Sequence, residues 1–409
     1  MFQSLSSRNY RIYAAGALIS NIGTWMFRTA VTWLALEVGG GGTAVGLVMA
    51  SQAAPLLIFA PLAGTVADRV NKQSALLVAQ LGMVVPVGAM AALSIAESAA
   101  PWHLYLLSFV FGVARAFEVP IRHSFVSELV SGPTLANAIA LNSASFNVGR
   151  LTGPAVAGLL IALMGSGERA TGWVILVNAL SYFAIIASLL LLDRSDIEAA
   201  VKSTKLERSF RAGLTYLRGR PDLLFILIVV LLVSTFSMNF QITSSLMVTQ
   251  VFGLGADVYG AVGSIVAIGS LAGALVAARW QGSTPRRIVV FGVIFAFLCM
   301  LAGIMPTLES YAILLPAQGV CVLIVLTSAN TYIQTTSLAA YRGRMASLYG
   351  IVFWGGTPFG GPLIGWIGEA FGGRWSLLIG GGLSVLGLAI VSLWYWRRNF
   401  RALAPVPGT

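Results

Sequence analysis

The sequence predicts an all-α membrane protein of twelve transmembrane helices arranged as two pseudo-symmetric six-helix bundles, and three observations predict it. Of 409 residues, 57% are hydrophobic and only 10% are charged, a balance that a bilayer can bury and a soluble core cannot. A hydrocarbon core about 30 Å thick needs roughly 20 apolar residues per crossing, and twelve such runs lie between punctuating loops. Finally, the chain echoes itself at a shift of about 208 positions: GRLTGPAVAG at 149–158 meets TPFGGPLIG at 357–365, so that Gly153 and Pro154 fall on Gly361 and Pro362.

In chain order the spans are expected at 11–38, 44–67, 74–96, 102–122, 136–164, 171–192, 223–251, 256–280, 287–306, 308–334, 345–371 and 374–397. The first run is too long for a signal-peptide core and leads straight into further spans, so it is read as a retained helix. GGGG at 39–42 then makes a short external turn. Span 2 ends on PLAGTVADR, and a similar LAGALVAAR recurs in span 8 with the acid lost. Residues 193–222 separate six spans from six and read as an amphipathic linker lying near the inner surface, drawn there by anionic lipid. The expected division is therefore 1–192, 193–222 and 223–409.

Charge placement sets the orientation. Alternating the loops puts 20 of the 25 basic residues, Arg122 among them, on the face that carries both termini. The opposite face receives only Arg169 and Arg374, which leaves Arg28, Arg115 and Arg150 within the membrane. An excess of this kind marks the cytoplasmic side. The net charge of +11 thus follows the membrane and does not point to nucleic acid.

Parallel six-helix repeats are an architecture of secondary transporters, and here the residues carry a resemblance. Over essentially its whole length the chain resembles a major facilitator superfamily transporter. GTVADRVNK is similar to that family's G-x-x-x-D-R-x-G-[RK] loop, on Gly64, Asp68, Arg69 and Lys72; GRLTGPAVAG resembles the glycine-proline motif of fifth helices in antiporters; RGRMASLYG resembles the start of span 11. NSASFNVGRLTGPAVAGLL and DVYGAVGSIVAIGSLAGAL look like the branch of bacterial exporters that includes the enterobactin exporter. The resemblance implies export of a siderophore, metabolite or drug by alternating access with proton antiport, from a bacterial inner membrane. Two alternatives stand beside it: a proton-linked importer, and a non-transporting receptor or scaffold. The chain departs from the motif at Asn71, where glycine is expected, and at Gln73. Asparagine tolerates the left-handed backbone that glycine would supply, so a left-handed turn at Asn71 is expected.

Several residues stand out as candidates. An acid at the exit of span 2 can accept hydrogen bonds from the positive N-terminal end of a helix entering from the same face. Asp68, with Arg344 and the start of span 11, is therefore expected to latch the two halves at the cytoplasmic mouth. Arg28 shares a polar stripe with Asn21, Thr24 and Thr32, and an arginine so deep should face a cavity rather than lipid. In span 4, Arg115 and Glu118 are three apart and so neighbours on a helix; a partly desolvated carboxylate beside a base suits proton coupling, with a permanent ion pair to Arg115 or Arg150 as the alternative. Arg150 lies on a face with Ser143 and Asn147. Gly149, Gly153 and Gly158 allow close helix approach, and Pro154 bends the helix. The second half offers Asn239, Gln241, Asn330 and Gln334 as polar cavity groups, with Trp33, Phe353 and Trp354 as aromatic ones. Glu37 is read as an interface residue. Three bases and one acid in the interior favour an anionic or hydrogen-bond-rich cargo.

Other chemistries lack their residues. The sequence has no G-x-x-x-x-G-K-[ST] loop for ATP. Its two histidines, His103 and His123, sit near span ends, and Cys299 and Cys321 fall inside spans, so neither a metal site, a disulfide nor a catalytic triad is expected. The expected protein is a monomer and not an enzyme, without cofactor, whose partners are a small-molecule substrate, protons and membrane lipids.

Overall fold

The computed structural model describes residues 3–67, 69–130, 134–193, 210–280, 282–338 and 341–403. The spans run Arg8–Gly39, Gly42–Ala67, Lys72–Ile95, Pro101–Leu129, Leu135–Leu163 and Gly167–Leu190 in the first half. In the second they run Pro221–Val251, Ala256–Arg279, Pro285–Gly303, Leu308–Thr336, the pair Arg342–Gly355 and Thr357–Phe371, and Gly373–Leu403. Among the described residues, ten helices are long and apolar enough to cross a membrane. The other two crossings are span 1, whose apolar run is diluted by Ser20, Asn21, Thr24, Arg28 and Thr32, and span 11, whose two segments have 14 and 15 residues.

Local chemistry fixes the ends. Ser7 starts span 1 by accepting from the Tyr10 N–H, and Gly40 at φ +76° stops it in the left-handed region that a side chain would resist. Asn71 caps span 3 by accepting from the Ser74 N–H. Its φ of −64° and ψ of 117° are extended, so the left-handed turn expected at this residue is not formed. An N-cap needs an extended backbone and a side-chain acceptor, and asparagine supplies both.

Three spans differ from expectation. Span 4 continues to Leu129 rather than ending near 122, which draws Arg122 and Glu128 into the helix. Span 7 is interrupted at Met238 and Asn239 between two π turns. Span 11 breaks at Gly356.

Within the first half, span 1 packs on spans 5 and 6, span 3 on spans 4 and 6, and span 2 on span 4. The second half repeats this with spans 8 and 10, 9 and 10, 9 and 12. Between the halves the two extensive contacts are span 2 with span 11 and span 5 with span 8. Moving six helices along the chain turns one of these pairs into the other, as the pseudo-symmetry requires.

Small residues make both contacts. A Cβ on Gly46 would lie 2.4 Å from the Gly361 carbonyl oxygen, and one on Gly365 would lie 2.1 Å from that of Gly42. Across the other seam, a Cβ on Gly260 would meet the Pro154 carbonyl at 2.3 Å, and one on Gly158 the Ala256 carbonyl at 2.2 Å. Lipid provides no hydrophobic drive for helix association, so close van der Waals contact through such residues is what holds helices together. All four approaches lie in the half of the molecule opposite the termini. Toward the termini the same spans separate: Ser143 of span 5 is exposed, and the first segment of span 11 touches span 2 far less than the second does; Gln334 of the neighbouring span 10 is exposed as well.

The linker helix, Phe210–Arg218, sits against the start of span 11, with Tyr216 stacked on Tyr341 at 4.3 Å. Arg220 donates to Asp222, to Tyr216 and to the Thr336 carbonyl, and Asp222 also accepts from Tyr332. The bonds to Asp222 hold the Arg220 guanidinium above its ordinary range. This end of the linker is thereby fastened to the second half.

Candidate functional site: a cleft between broken helices

The interruptions of spans 7 and 11 lie side by side. A Cβ on Gly356 would come within 2.7 Å of the Thr235 amide, and one on Gly360 would collide with the Thr235 carbonyl, so glycine permits the approach. The break leaves backbone groups to be satisfied locally: Met238 N–H reaches back five residues to Val233, and the Asn239 side chain donates to the Thr235 carbonyl at 2.8 Å. Irregular backbone at membrane depth is tolerated where it is enclosed in protein or lines a cavity. Here a cleft opens beside it, with Thr24, Arg28, Gln52, Arg115, Trp354 and Thr357 among its walls.

Arg28 is the centre of that cleft. Its Nη2 donates to Gln241 Oε1 at 3.3 Å, which joins span 1 to span 7 across the two halves. Its guanidinium carbon lies 5.1 Å from the Trp25 ring centroid and 6.0 Å from that of Trp354, distances at which ring quadrupoles attract a cation. Arg115 shares the cleft. Neither arginine has a carboxylate at ion-pair distance among the described residues. Arg150 is half-buried on the face of span 5 that also carries Pro154 toward span 8 and the half-buried Asn147.

Glu118 lies behind this cleft, inside the first bundle. The expected pairing with Arg115 or Arg150 is not formed: Arg122, one full turn on, closes on Glu118 with Nε at 3.0 Å from Oε1. The i, i+4 spacing presents Arg122 to the bundle interior, whereas Arg115 turns to the cleft. Arg122 thus leaves the surface charge to which the sequence assigned it. Its Nη1 reaches Asn21 Oδ1 at 3.4 Å, and Asn21 donates in turn to Ser145 at 2.9 Å, so the pair is tied to spans 1 and 5. Tyr13, Ser20 and Gln80 complete the pocket.

The remaining candidates are dispersed. Asp68 lies outside the described residues. Lys72 pairs with Glu128, closing span 3 onto the end of span 4. Arg69 and Gly64 are exposed, Gly64 with open space beside it. Arg344 lies over Tyr341 at 4.9 Å and against Gly213 of the linker helix. Asn330 and Gln334 bond to each other at 2.9 Å on an open face of span 10. Asn147 donates within its own helix, to the Ser143 carbonyl. Gly149 and Gly153 admit the backbone of span 1: a Cβ on Gly149 would lie 2.8 Å from the Asn21 carbonyl, and one on Gly153 3.0 Å from the Met26 amide. Phe353 stacks on Tyr349, and Trp33 stacks on Tyr259 while donating to Glu37. Glu37 also accepts from Gly167 and Thr171, so it fastens span 1 to span 6. Of the polar cleft residues, Gln52 and Thr357 were not singled out from sequence, and neither was Trp25, whose ring lies under Arg28; the only trace of Gln52 is one amide in the apolar run MASQAAPLL.

Comparison with known proteins matches this architecture. The transmembrane secretion effector profile aligns with residues 1–404. The multidrug efflux pump Tap of Mycolicibacterium fortuitum is 25% identical over 410 residues, covering 96% of each chain. An uncharacterized MFS-type transporter of Bacillus subtilis, YfiS, is 26% identical over 215 residues, so the match spans 51% of this chain and about half, 49%, of that relative. Among solved structures, a bacterial homologue of the human lysosomal transporter Spinster, inward-facing and occupied, superposes with a TM-score of 0.76 at 16% identity over 96% of this chain and 97% of that one. The profile covers nearly the whole chain, and the chain belongs to the transmembrane secretion effector family of the major facilitator superfamily.

Proposed function

We propose that this transporter exports a small molecule across a bacterial inner membrane by alternating access, driven by inward proton flow, with both termini in the cytosol. The observation that carries the reading is the asymmetry of the seams. Backbone contacts close the two halves at the face opposite the termini, while polar side chains of spans 5 and 10 open toward the basic, terminal face. A cargo then enters the cleft from the cytosol, and rocking about the seams turns it outward. The likeness to a multidrug efflux pump over nearly its whole length supports the outward direction. Asp68 and Arg344 remain the proposed latch at the terminal face, to form when the far face opens.

Glu118 is the proposed proton carrier. It is buried, its charge is held by Arg122, the one base at ion-pair distance among the described residues, and Arg122 is bonded to the span 1 to span 5 link. Proton uptake removes the ion pair and leaves Arg122 depending on Asn21, so the protonation state is read by the helices that rock.

The test uses inside-out vesicles with an acidic lumen and a panel of siderophores, anionic metabolites and drugs. Export requires cargo to enter the lumen while protons leave it. Cargo and protons moving in the same direction would establish an importer instead, and no cargo flux with any gradient would leave a receptor or scaffold.

A further inference from the structure

We infer that the cleft is built for an organic anion, a carboxylate carried on an apolar or aromatic body. The inference rests on reading the cleft as the transport site, and it adds the class of cargo. Its walls hold buried donors that the protein leaves without partners. The Nε of Arg28 and the Nε2 of Gln52 are both buried and have no hydrogen-bond partner, and no buried unpartnered acceptor lines the cleft among the described residues. Buried polar groups are ordinarily satisfied, and two orphaned donors beside a guanidinium are satisfied together by a ligand rich in acceptors.

Charge points the same way. Arg28 and Arg115 both line the cleft, and three acids of the same bundle are engaged elsewhere. Glu118 is held by Arg122, Glu128 by Lys72, and Glu37 by Trp33, Gly167 and Thr171. A cation entering the cleft would meet two guanidiniums and, among the described residues, no acid. An anion would meet a guanidinium fork lying over the Trp25 and Trp354 rings, a group suited to bidentate recognition.

The rest of the wall is apolar: Met49, Leu56, Phe111 and the Trp354 ring. It suits a hydrophobic body and gives no partner to a fully hydrated inorganic ion. The bond from Arg28 to Gln241 is long, 3.3 Å, and joins the halves. A carboxylate that takes over the Arg28 Nη2 competes with Gln241, so cargo binding loosens a bridge between the halves as it fills the cleft.

The experiment measures binding to the purified full chain in nanodiscs without any gradient. Three probes share one naphthyl body: naphthaleneacetate, its amide, and naphthylmethyl-trimethylammonium. Naphthaleneacetate is expected to bind saturably and more tightly than the amide, and the ammonium to bind most weakly. Arg28→Gln and Arg115→Gln should each weaken naphthaleneacetate about tenfold or more, the scale of one charge-assisted hydrogen bond, with little effect on the amide. Arg28→Lys should recover only part of the loss, because it restores charge without the fork. Should Arg28→Gln fail to give monodisperse protein, Arg115→Gln and Gln52→Leu carry the same comparison. The inference is overturned if naphthaleneacetate has no advantage over its amide, if the ammonium binds as well, or if the advantage survives in the arginine variants. Because binding is read without flux, a bound anion that is never transported would count against export and not against this class of ligand.

Discussion

At the scale of single residues, the pairing of Glu118 decides what its protonation can do. Two arginines stand within a turn of it, Arg115 three residues before and Arg122 four after. Helical spacing makes both of them neighbours, and sequence alone does not say which side of span 4 faces the bundle. Burial breaks the tie: Glu118 is 4% exposed, so its partner is the guanidinium that shares the interior. Removing one member of a buried pair strands the other, at a cost of about 3 to 5 kcal/mol. The cost is expected at the lower end here, since Arg122 keeps Asn21. Glu118→Gln should therefore lower thermal stability and abolish the dependence of transport on the pH gradient. Adding Arg122→Gln should restore most of the stability, because neither charge is then stranded, while coupling stays lost. Thermal melts and gradient-driven uptake on both variants check this, and a Glu118→Gln protein that still responds fully to the gradient would remove Glu118 from the proposal. The charged candidates Arg28, Arg115 and Glu118 were legible because a charge in an apolar run is costly and must have a use. Gln52 and Trp25 were not, because an amide or an indole in a span costs little on either a lipid or a cavity face.

At the scale of elements, spans were legible from length and apolarity, and their interruptions were not. A π turn closes its hydrogen bonds over five residues, as Met238 to Val233 and Phe252 to Met247 do here, and so needs no proline or charge that composition would reveal. Span 11 left a fainter signal in WGGTPFGG, whose glycines admit span 7. The far end of span 11 carries another device. Glu369 accepts from the Thr43 amide at 3.0 Å, so an acid from one half caps the first turn of span 2 in the other. A carboxylate there satisfies an orphan donor and faces the positive helix end, worth about 1 kcal/mol for an exposed cap. Glu369→Gln is expected to weaken closure of the far face and shift the population toward the outward-open form roughly fivefold. Spin-label distances across that face are the readout, and an unchanged distribution would show that the glycine seams alone hold it shut.

At the scale of the whole molecule, the internal echo of sequence becomes a mechanical equivalence. Gly153 and Pro154 align with Gly361 and Pro362 at the shift of about 208, and the aligned prolines stand where each half meets the other: Pro154 presents its carbonyl to Gly260, and Pro362 lies against Gly46 beside the Gly361 carbonyl. One small-residue device used twice gives two hinges related by the pseudo-twofold axis, so the halves can rock without either seam shearing open first. If rocking is how cargo crosses, freezing one seam must stop flux and spare binding from the terminal face. Thr43→Cys with Glu369→Cys, in a chain whose Cys299 and Cys321 are replaced by alanine, provides the lock when bridged by a short bifunctional reagent. The bridged protein should lose flux to background while still binding cargo, and cleaving the bridge should restore transport. Gly365→Leu tests the opposite direction: its side chain would enter the space of the Gly42 carbonyl, 2.1 Å from a Cβ, and should hold the far face open, with binding then reached from that side. Full flux through the bridged protein would mean that the cargo path does not depend on relative motion of the halves.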